Sequence, residues 1–247
     1  MSVNATRISV KDGGILSMID NHTPGSRRFT HVCLDLDGTL ADSIPAMKAA
    51  YARFLARFKK NGSESEFDEL NGPTLREIVG ILNTRHNLSA CADDLLAAYT
   101  QDIAAAYRDT VAPMPGAAQL LNDLCALGYE LILVTANVRE IAAEFIAAQQ
   151  WDRFFSASVF GADVPRAKPE PDIYRVALER CGARPEHTAA VEDSSNGIRA
   201  AAAAGLFAIG LAPGGEHGNL RGAGAMAVIS TLSELPGLLN SINQEMT

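Results

Sequence analysis

The stretch HVCLDLDGTLADS, His31 to Ser43, decides how the rest of the chain is read. Val32, Cys33 and Leu34 form a short apolar run of the kind that makes a buried strand, and it delivers two carboxylates, Asp35 and Asp37, to its C-terminal end. Gly38 and Thr39 follow at once, then apolar Leu40 and a second turn signal at Asp42-Ser43. Two acids this close repel each other and lose solvation, so fold stability alone does not place them at a strand end. A bound cation or a proton-transfer task does. The carboxyl edge of a parallel sheet is where open α/β proteins hold ligands, so the first expectation is a catalytic site.

Working outward, the segment 44–110 is rich in alanine and charge and purely helical in pattern. Tyr51, Phe54, Leu55 and Phe58 recur at helical spacing, as do Leu75, Ile78, Val79 and Leu82, then Leu95, Leu96, Tyr99, Ile103 and Tyr107. Pro45 starts this unit, and the stretch Val111 to Gly116, with its prolines, ends it. After Gly116 strands and helices alternate. Strands are expected over 131–135, 156–160, 188–191, 207–210 and 227–229, and helices over 117–127, 139–149, 172–181, 197–204 and 232–239. Gly128, Gly182 and Gly205 punctuate the helix ends. Strand–helix–strand at these intervals demands parallel pairing with right-handed crossovers. The fold class is therefore α/β: a doubly wound, Rossmann-like parallel sheet with an all-helical cap inserted after its first strand, 32–36. The expected division is a core of 29–43 and 113–247, a helical cap of 44–112 over the sheet's carboxyl edge, and an N-terminal extension of 1–28, mostly outside the fold.

Composition is that of an ordinary globular protein: 247 residues, 47% hydrophobic and 20% charged. A net charge of −8 argues against nucleic acid or an anionic membrane as the main partner. It does not oppose a phosphate ester, which needs only a locally positive site. The four cysteines, Cys33, Cys91, Cys125 and Cys181, show no C-x-x-C spacing and no accompanying histidine cluster, which argues against zinc. Three of them stand in apolar contexts that predict core positions, and reduced thiols in a cytoplasm are the simplest interpretation. No apolar run reaches the ~18–20 residues of a membrane span.

The polar residues that follow each strand converge on one edge. After the first strand come Asp35 and Asp37; after the second, Thr135, Ala136 and Asn137; in the loop after the third, Lys168; after the fourth, Glu192 and Asp193. Each has a bland alternative. Asp35-x-Asp37-Gly could open a calcium loop, but an EF-hand needs glycine at the sixth position and glutamate at the twelfth, where this chain has Leu40 and Ala46. Glu192-Asp193 could merely favour a helix start. Thr135 alone is an ordinary strand residue and Lys168 alone an ordinary loop lysine. Their arrival together, in order and at strand ends, is what the bland accounts do not explain.

Four segments, Asp-Leu-Asp-Gly-Thr-Leu, Val-Thr-Ala-Asn, Ala-Lys-Pro-Glu-Pro-Asp and Val-Glu-Asp-Ser-Ser-Asn-Gly, resemble the motifs of the haloacid dehalogenase-like hydrolase superfamily. The helical insertion resembles the cap of its phosphoglycolate phosphatase and β-phosphoglucomutase-like branch. The resemblance covers roughly residues 30 to 240. It implies Mg²⁺ and phosphoryl transfer through a covalent aspartyl phosphate. Asp35 is then the nucleophile and a metal ligand, and Asp37 the general acid and base, its backbone carbonyl also on the metal. Thr135 and Lys168 bind and stabilise the transferring group, and Asp193 completes the metal sphere with Glu192 as a direct or water-mediated ligand. Amides near Gly38, Ala136 and Asn137 are expected at phosphate oxygens, and Arg76, in the glycine-containing cap loop, at a second anionic group of the substrate.

The resemblance also sorts reactions. Dehalogenase and phosphonate-cleaving members lack an acid at the position of Asp37. β-Phosphoglucomutases carry a histidine where this chain has Met47. The expectation is a phosphatase of small phosphate monoesters, of the sugar phosphate or phosphoglycolate type, a monomer or small homo-oligomer. A phosphomutase is the alternative, and a non-catalytic regulatory protein on the same fold the second. His86 and the cap tyrosines are expected to be structural, and Pro213-Gly214-Gly215 with Gly218 a surface loop.

Overall fold

The computed structural model describes residues 29–215 and 217–244; the expected extension, 1–28, lies outside them. Strand β1 (His31–Leu34) is followed by a two-residue strand β2 (Ala41–Asp42). Four helices come next: α1 (Ile44–Ala56), α2 (Glu64–Glu69), α3 (Leu75–His86) and α4 (Ala92–Asp109). The short strand β3 (Ala112–Pro113) returns the chain beside β2. The rest alternates as α5 (Ala117–Ala126), β4 (Glu130–Thr135), α6 (Arg139–Ala148), β5 (Phe155–Phe160), α7 (Asp172–Cys181), β6 (Thr188–Glu192), α8 (Ser195–Ala203), β7 (Phe207–Leu211), α9 (His217–Gly222), β8 (Ala227–Ile229) and α10 (Leu235–Gln244).

Six strands form one sheet in the order β5-β4-β1-β6-β7-β8, every neighbouring pair parallel. Strand order reverses between β1 and β6, which opens a crevice at their carboxyl ends, the place where doubly wound sheets bind ligands. The strands are apolar throughout because both faces are covered. Val32, Leu34, Leu131, Leu133, Val191 and Ile209 pack with α5, α6 and α10 on one face. Cys33, Ile132, Val134, Ala190 and Ala208 pack with α7, α8 and α9 on the other. This is the period-two alternation of side chains read through a fully buried strand.

The helical unit has its own apolar seam. Tyr51, Phe54 and Leu55 of α1 meet Val79 and Leu82 of α3 and Leu95, Tyr99 and Ile103 of α4, with the Phe54 and Tyr99 rings stacked 4.8 Å apart. Thr74 closes a capping box with Glu77 that fixes the start of α3. The unit begins and ends at one place. β2 and β3 pair antiparallel, Ala41 with Pro113 and Asp42 with Ala112.

Several details depart from expectation. Helix α2 was not legible, being six residues long and largely acidic. Gly218 lies within helix α9 rather than in a surface loop, because Leu220 of that helix is buried against Gly210 of β7. Of the cysteines only Cys33 is a core residue; Cys91, at the N-cap of α4, and Cys125, on a solvent-facing position of α5, are exposed, and Cys181, at the end of α7, is half-buried.

Candidate active site

Asp35 is the first residue past β1, its N–H still bonded to the Val191 carbonyl of β6 at 3.2 Å. Its Oδ1 lies 2.7 Å from Lys168 Nζ, and the same ammonium lies 2.5 Å from Glu192 Oε1, the last residue of β6. All three side chains are buried. Lys168 arrives on the loop between β5 and α7, and a further bond at 3.4 Å to the Val134 carbonyl holds it under the sheet edge. Tyr174 of α7 donates its hydroxyl to Glu192 Oε1 as well.

Asp193 follows directly. Its seat is made by Gly38: a Cβ there would sit 2.0 Å from Asp193 Oδ2, and the backbone at Gly38 has a left-handed φ of +73°. Glycine is needed on both counts. Gly197 in the first turn of α8 plays the same part for Glu192, whose Oε2 would lie 1.9 Å from a Cβ.

One ligand oxygen from each of Asp35, Glu192 and Asp193 falls within a group no wider than 4.8 Å. Three carboxylates here share one ammonium. Burial, then the Glu192 charge, pushes the Asp35 carboxyl well above its ordinary value despite Lys168. The same causes push Asp193 up to about 7. Burial alone would lower the Lys168 ammonium, but Asp35 and Glu192 outweigh it and hold the group charged. Two oxygens, Glu192 Oε2 and Asp193 Oδ1, are buried without a hydrogen-bond partner. Unpartnered carboxylate oxygens in a group short of positive charge suit a hard divalent cation such as Mg²⁺.

The Asp37 carboxylate is not one of the clustered three. Its Oδ1 accepts from Ser43 Oγ at 2.7 Å and from the Tyr107 hydroxyl, and its Oδ2 from Asn137 Nδ2 at 3.0 Å. Tyr107 belongs to α4, so a residue expected to be purely structural holds the side chain expected to move protons. Its helical spacing with Tyr99 and Ile103 gave a core signal only. Ser43 stood in the opening stretch, read there as a turn. Asn71, from the loop before α3, approaches Asp193 Oδ2 at 3.4 Å, and its carbonyl accepts from Asn196 Nδ2 of α8 at 2.8 Å.

A cleft open to solvent is shared here between the sheet edge and the helical unit. Asp35, Asp37, Thr135, Ala136, Asn137, Lys168 and Glu192 line its floor. Thr135 is fully buried, and its Oγ1 accepts the Asn137 N–H at 3.1 Å. The Gly38 N–H is bonded to the Ala41 carbonyl at 2.9 Å. Both of those amides, expected at phosphate oxygens, are thus engaged by their own turns. Arg76 is a correction. It points out of the cleft, its side chain 70% exposed and paired with Asp93 at 3.2 Å, because α3 turns its buried face (Leu75, Ile78, Val79) inward.

Comparison with known proteins agrees with this geometry. The family model described as haloacid dehalogenase-like hydrolase matches residues 32–211. A phosphoglycolate phosphatase of Shigella boydii is 32% identical over 242 residues, covering 87% of this chain and 95% of that protein. A phosphorylated carbohydrates phosphatase of Thermotoga maritima is 28% identical over 175 residues, covering 71% and 81%. Among solved structures, CbbY from Rhodobacter sphaeroides in complex with phosphate superposes with a TM-score of 0.73 at 28% identity, covering 84% of this chain and 96% of that one. With the strand-end residues in place and the matched span running from the first strand to β7, the chain belongs to the haloacid dehalogenase-like hydrolase family.

Proposed function

We propose that this hydrolase is a Mg²⁺-dependent phosphatase of small phosphate monoesters, sugar phosphates or phosphoglycolate among them, working through an aspartyl phosphate on Asp35. The single observation that carries it is the carboxylate trio of buried Asp35 and Glu192 with half-buried Asp193, the first two paired to one ammonium and two of the trio's oxygens unpartnered. The names of the two relatives support the reaction class.

Asp35, Asp193 and the Asp37 backbone carbonyl would hold the ion, with Glu192 beside them. Magnesium, when bound, offsets the charge that otherwise keeps a carboxylate from an anionic phosphoryl group. The rest is done by side chains. A carboxylate oxygen of Asp35 forms a bond to phosphorus while the bond from phosphorus to the ester oxygen breaks. Asp37 gives its proton to that oxygen, so the alcohol leaves neutral. Asp37, now ionised, takes a proton from a water that attacks phosphorus, and phosphate departs with Asp35 restored. Lys168 offsets charge on the transferring group, and the Thr135 hydroxyl has a proton to donate to it. Ser43, Tyr107 and Asn137 fix Asp37 from three sides.

A non-catalytic role on this fold is opposed by the intact set of Asp35, Asp37 and Lys168. Four unpaired cysteines, two of them exposed, favour a reducing compartment such as the cytoplasm. The test is release of 4-nitrophenolate from its phosphate ester with and without Mg²⁺. Turnover should require the metal, and Asp35→Asn should lower it by about 10³-fold or more, as loss of a nucleophile does. Metal-independent turnover, or an active Asp35→Asn variant, would overturn the proposal.

A further inference from the structure

Resting on the phosphatase reading, we infer that the preferred substrates are phosphate esters of an uncharged alcohol with an apolar face, and that a second anionic group on the leaving alcohol is selected against. The cleft has two unlike halves. Its floor carries the charges. Its roof, where the alcohol portion of an ester seated on Asp35 must lie, is mostly apolar, with Ile44, Met47, Phe67, Leu70, Leu75 and Ile78 of the helical unit, and its polar members, Asn71 and Tyr99, are uncharged.

Among the described residues, the only cation lining this cleft is Lys168, and it is committed at 2.7 Å to Asp35 and 2.5 Å to Glu192. Four cations of the helical unit, none of which lines the cleft, are paired elsewhere. Lys48 pairs with Glu64, Arg57 with Asp102, Arg76 with Asp93 and Arg85 with Glu69. A carboxylate or second phosphate on the alcohol would therefore give up its water against apolar surface with no counter-charge at the roof, the cationic charge of the site lying on the floor. A neutral alcohol meets no such penalty, and its carbon-bound hydrogens gain from covering apolar and aromatic surface. The phosphoryl group is treated differently because it sits on the floor, beside Lys168.

The test compares two esters on the full-length enzyme with Mg²⁺: 2-phosphoglycolate and 2-hydroxyethyl phosphate. They are alike in size and release primary alcohols of similar acidity, but only the first leaves as an anion. The expected kcat/KM favours 2-hydroxyethyl phosphate by about tenfold or more, the scale of an uncompensated charge against apolar surface. Met47→Lys places a cation on the roof at a half-buried position and should narrow that ratio several-fold through a gain on phosphoglycolate. Turnover of both esters with phosphoglycolate equal or better overturns this inference and leaves the phosphatase reading standing. So does an unchanged ratio in a Met47→Lys variant that circular dichroism shows to be folded. Absence of Mg²⁺-dependent turnover of these esters and of 4-nitrophenyl phosphate overturns both.

Discussion

Replacing Gly38 by alanine tests the seat of Asp193 directly. The Cβ that Gly38→Ala introduces would lie 2.0 Å from Asp193 Oδ2 and 2.5 Å from its Cγ, while real Cβ contacts essentially stop at 3.0 Å. Asp193 must retreat by about 1 Å, twice the tolerance of about 0.5 Å within which a catalytic group keeps its function. Misplacement on that scale is worth about 10²-fold in rate. The left-handed backbone, φ +73°, adds about 1–2 kcal/mol of destabilisation for any side chain. Gly182 supplies the control: its φ is +60°, yet nothing lies within 4 Å of a Cβ there. Gly182→Ala should lose stability alone. Gly38→Ala should lose stability, about 10²-fold in kcat on 4-nitrophenyl phosphate, and apparent affinity for Mg²⁺ in a metal titration. If Gly38→Ala stays within threefold of the parent in rate and metal dependence, the steric account of Asp193 is wrong.

Tyr107→Phe removes one of the three donors to Asp37 and should cost about tenfold in kcat/KM, which reports the first chemical step, on an alkyl phosphate, whose alcohol needs a proton to leave. On 4-nitrophenyl phosphate, whose leaving group does not, the loss should be under about threefold; equal losses would reduce Tyr107 to packing. Asn196→Ala deletes the bond to the Asn71 carbonyl and should raise KM about three- to tenfold with kcat nearly unchanged, in steady-state kinetics. In the helical unit, burial alone would raise the Glu66 carboxyl, but hydrogen bonds from Tyr51 and His86, with Arg85 nearby, hold it below its ordinary 4.5. A lowered carboxyl contributes stability that is present above the unfolded value and lost as pH falls through the folded one. Glu66→Gln should therefore cost about 1–3 kcal/mol at pH 7, and thermal melts of variant and parent should draw together as the pH falls through and below the carboxyl's lowered folded value.

The sheet and the charged floor were legible for a common reason. Strands buried on both faces read as unbroken apolar runs, and a parallel sheet brings their carboxyl ends together, so Asp35, Thr135, Lys168, Glu192 and Asp193 could be collected from segments far apart in the chain. The contributions of the helical unit were not. Tyr107 obeys helical periodicity like any core aromatic, and only the tertiary fold brings its hydroxyl to Asp37 across 70 positions. Asn71 lies in a loop that carries no periodic signal. Arg76 was misjudged because loop proximity says nothing of which way the first turn of α3 faces. The amides of Gly38 and Asn137 stood at a glycine turn and a helix start, features that offer N–H groups without revealing that the turn itself consumes them.

The adjoining of β2 and β3 has a consequence for inheritance. The chain leaves the sheet for the helices and comes back through one doorway two residues wide, Ala41-Asp42 beside Ala112-Pro113. Whatever is spliced between those points can lengthen, shrink or be exchanged without displacing the strand ends that carry Asp35, Lys168, Glu192 and Asp193. Among the described residues, three side-chain threads tie the insert to the reacting groups, Ser43 and Tyr107 to Asp37 and Asn71 to Asp193. A lineage built this way can try new roofs over an unaltered floor, and the choice of ester drifts while the chemistry stays put.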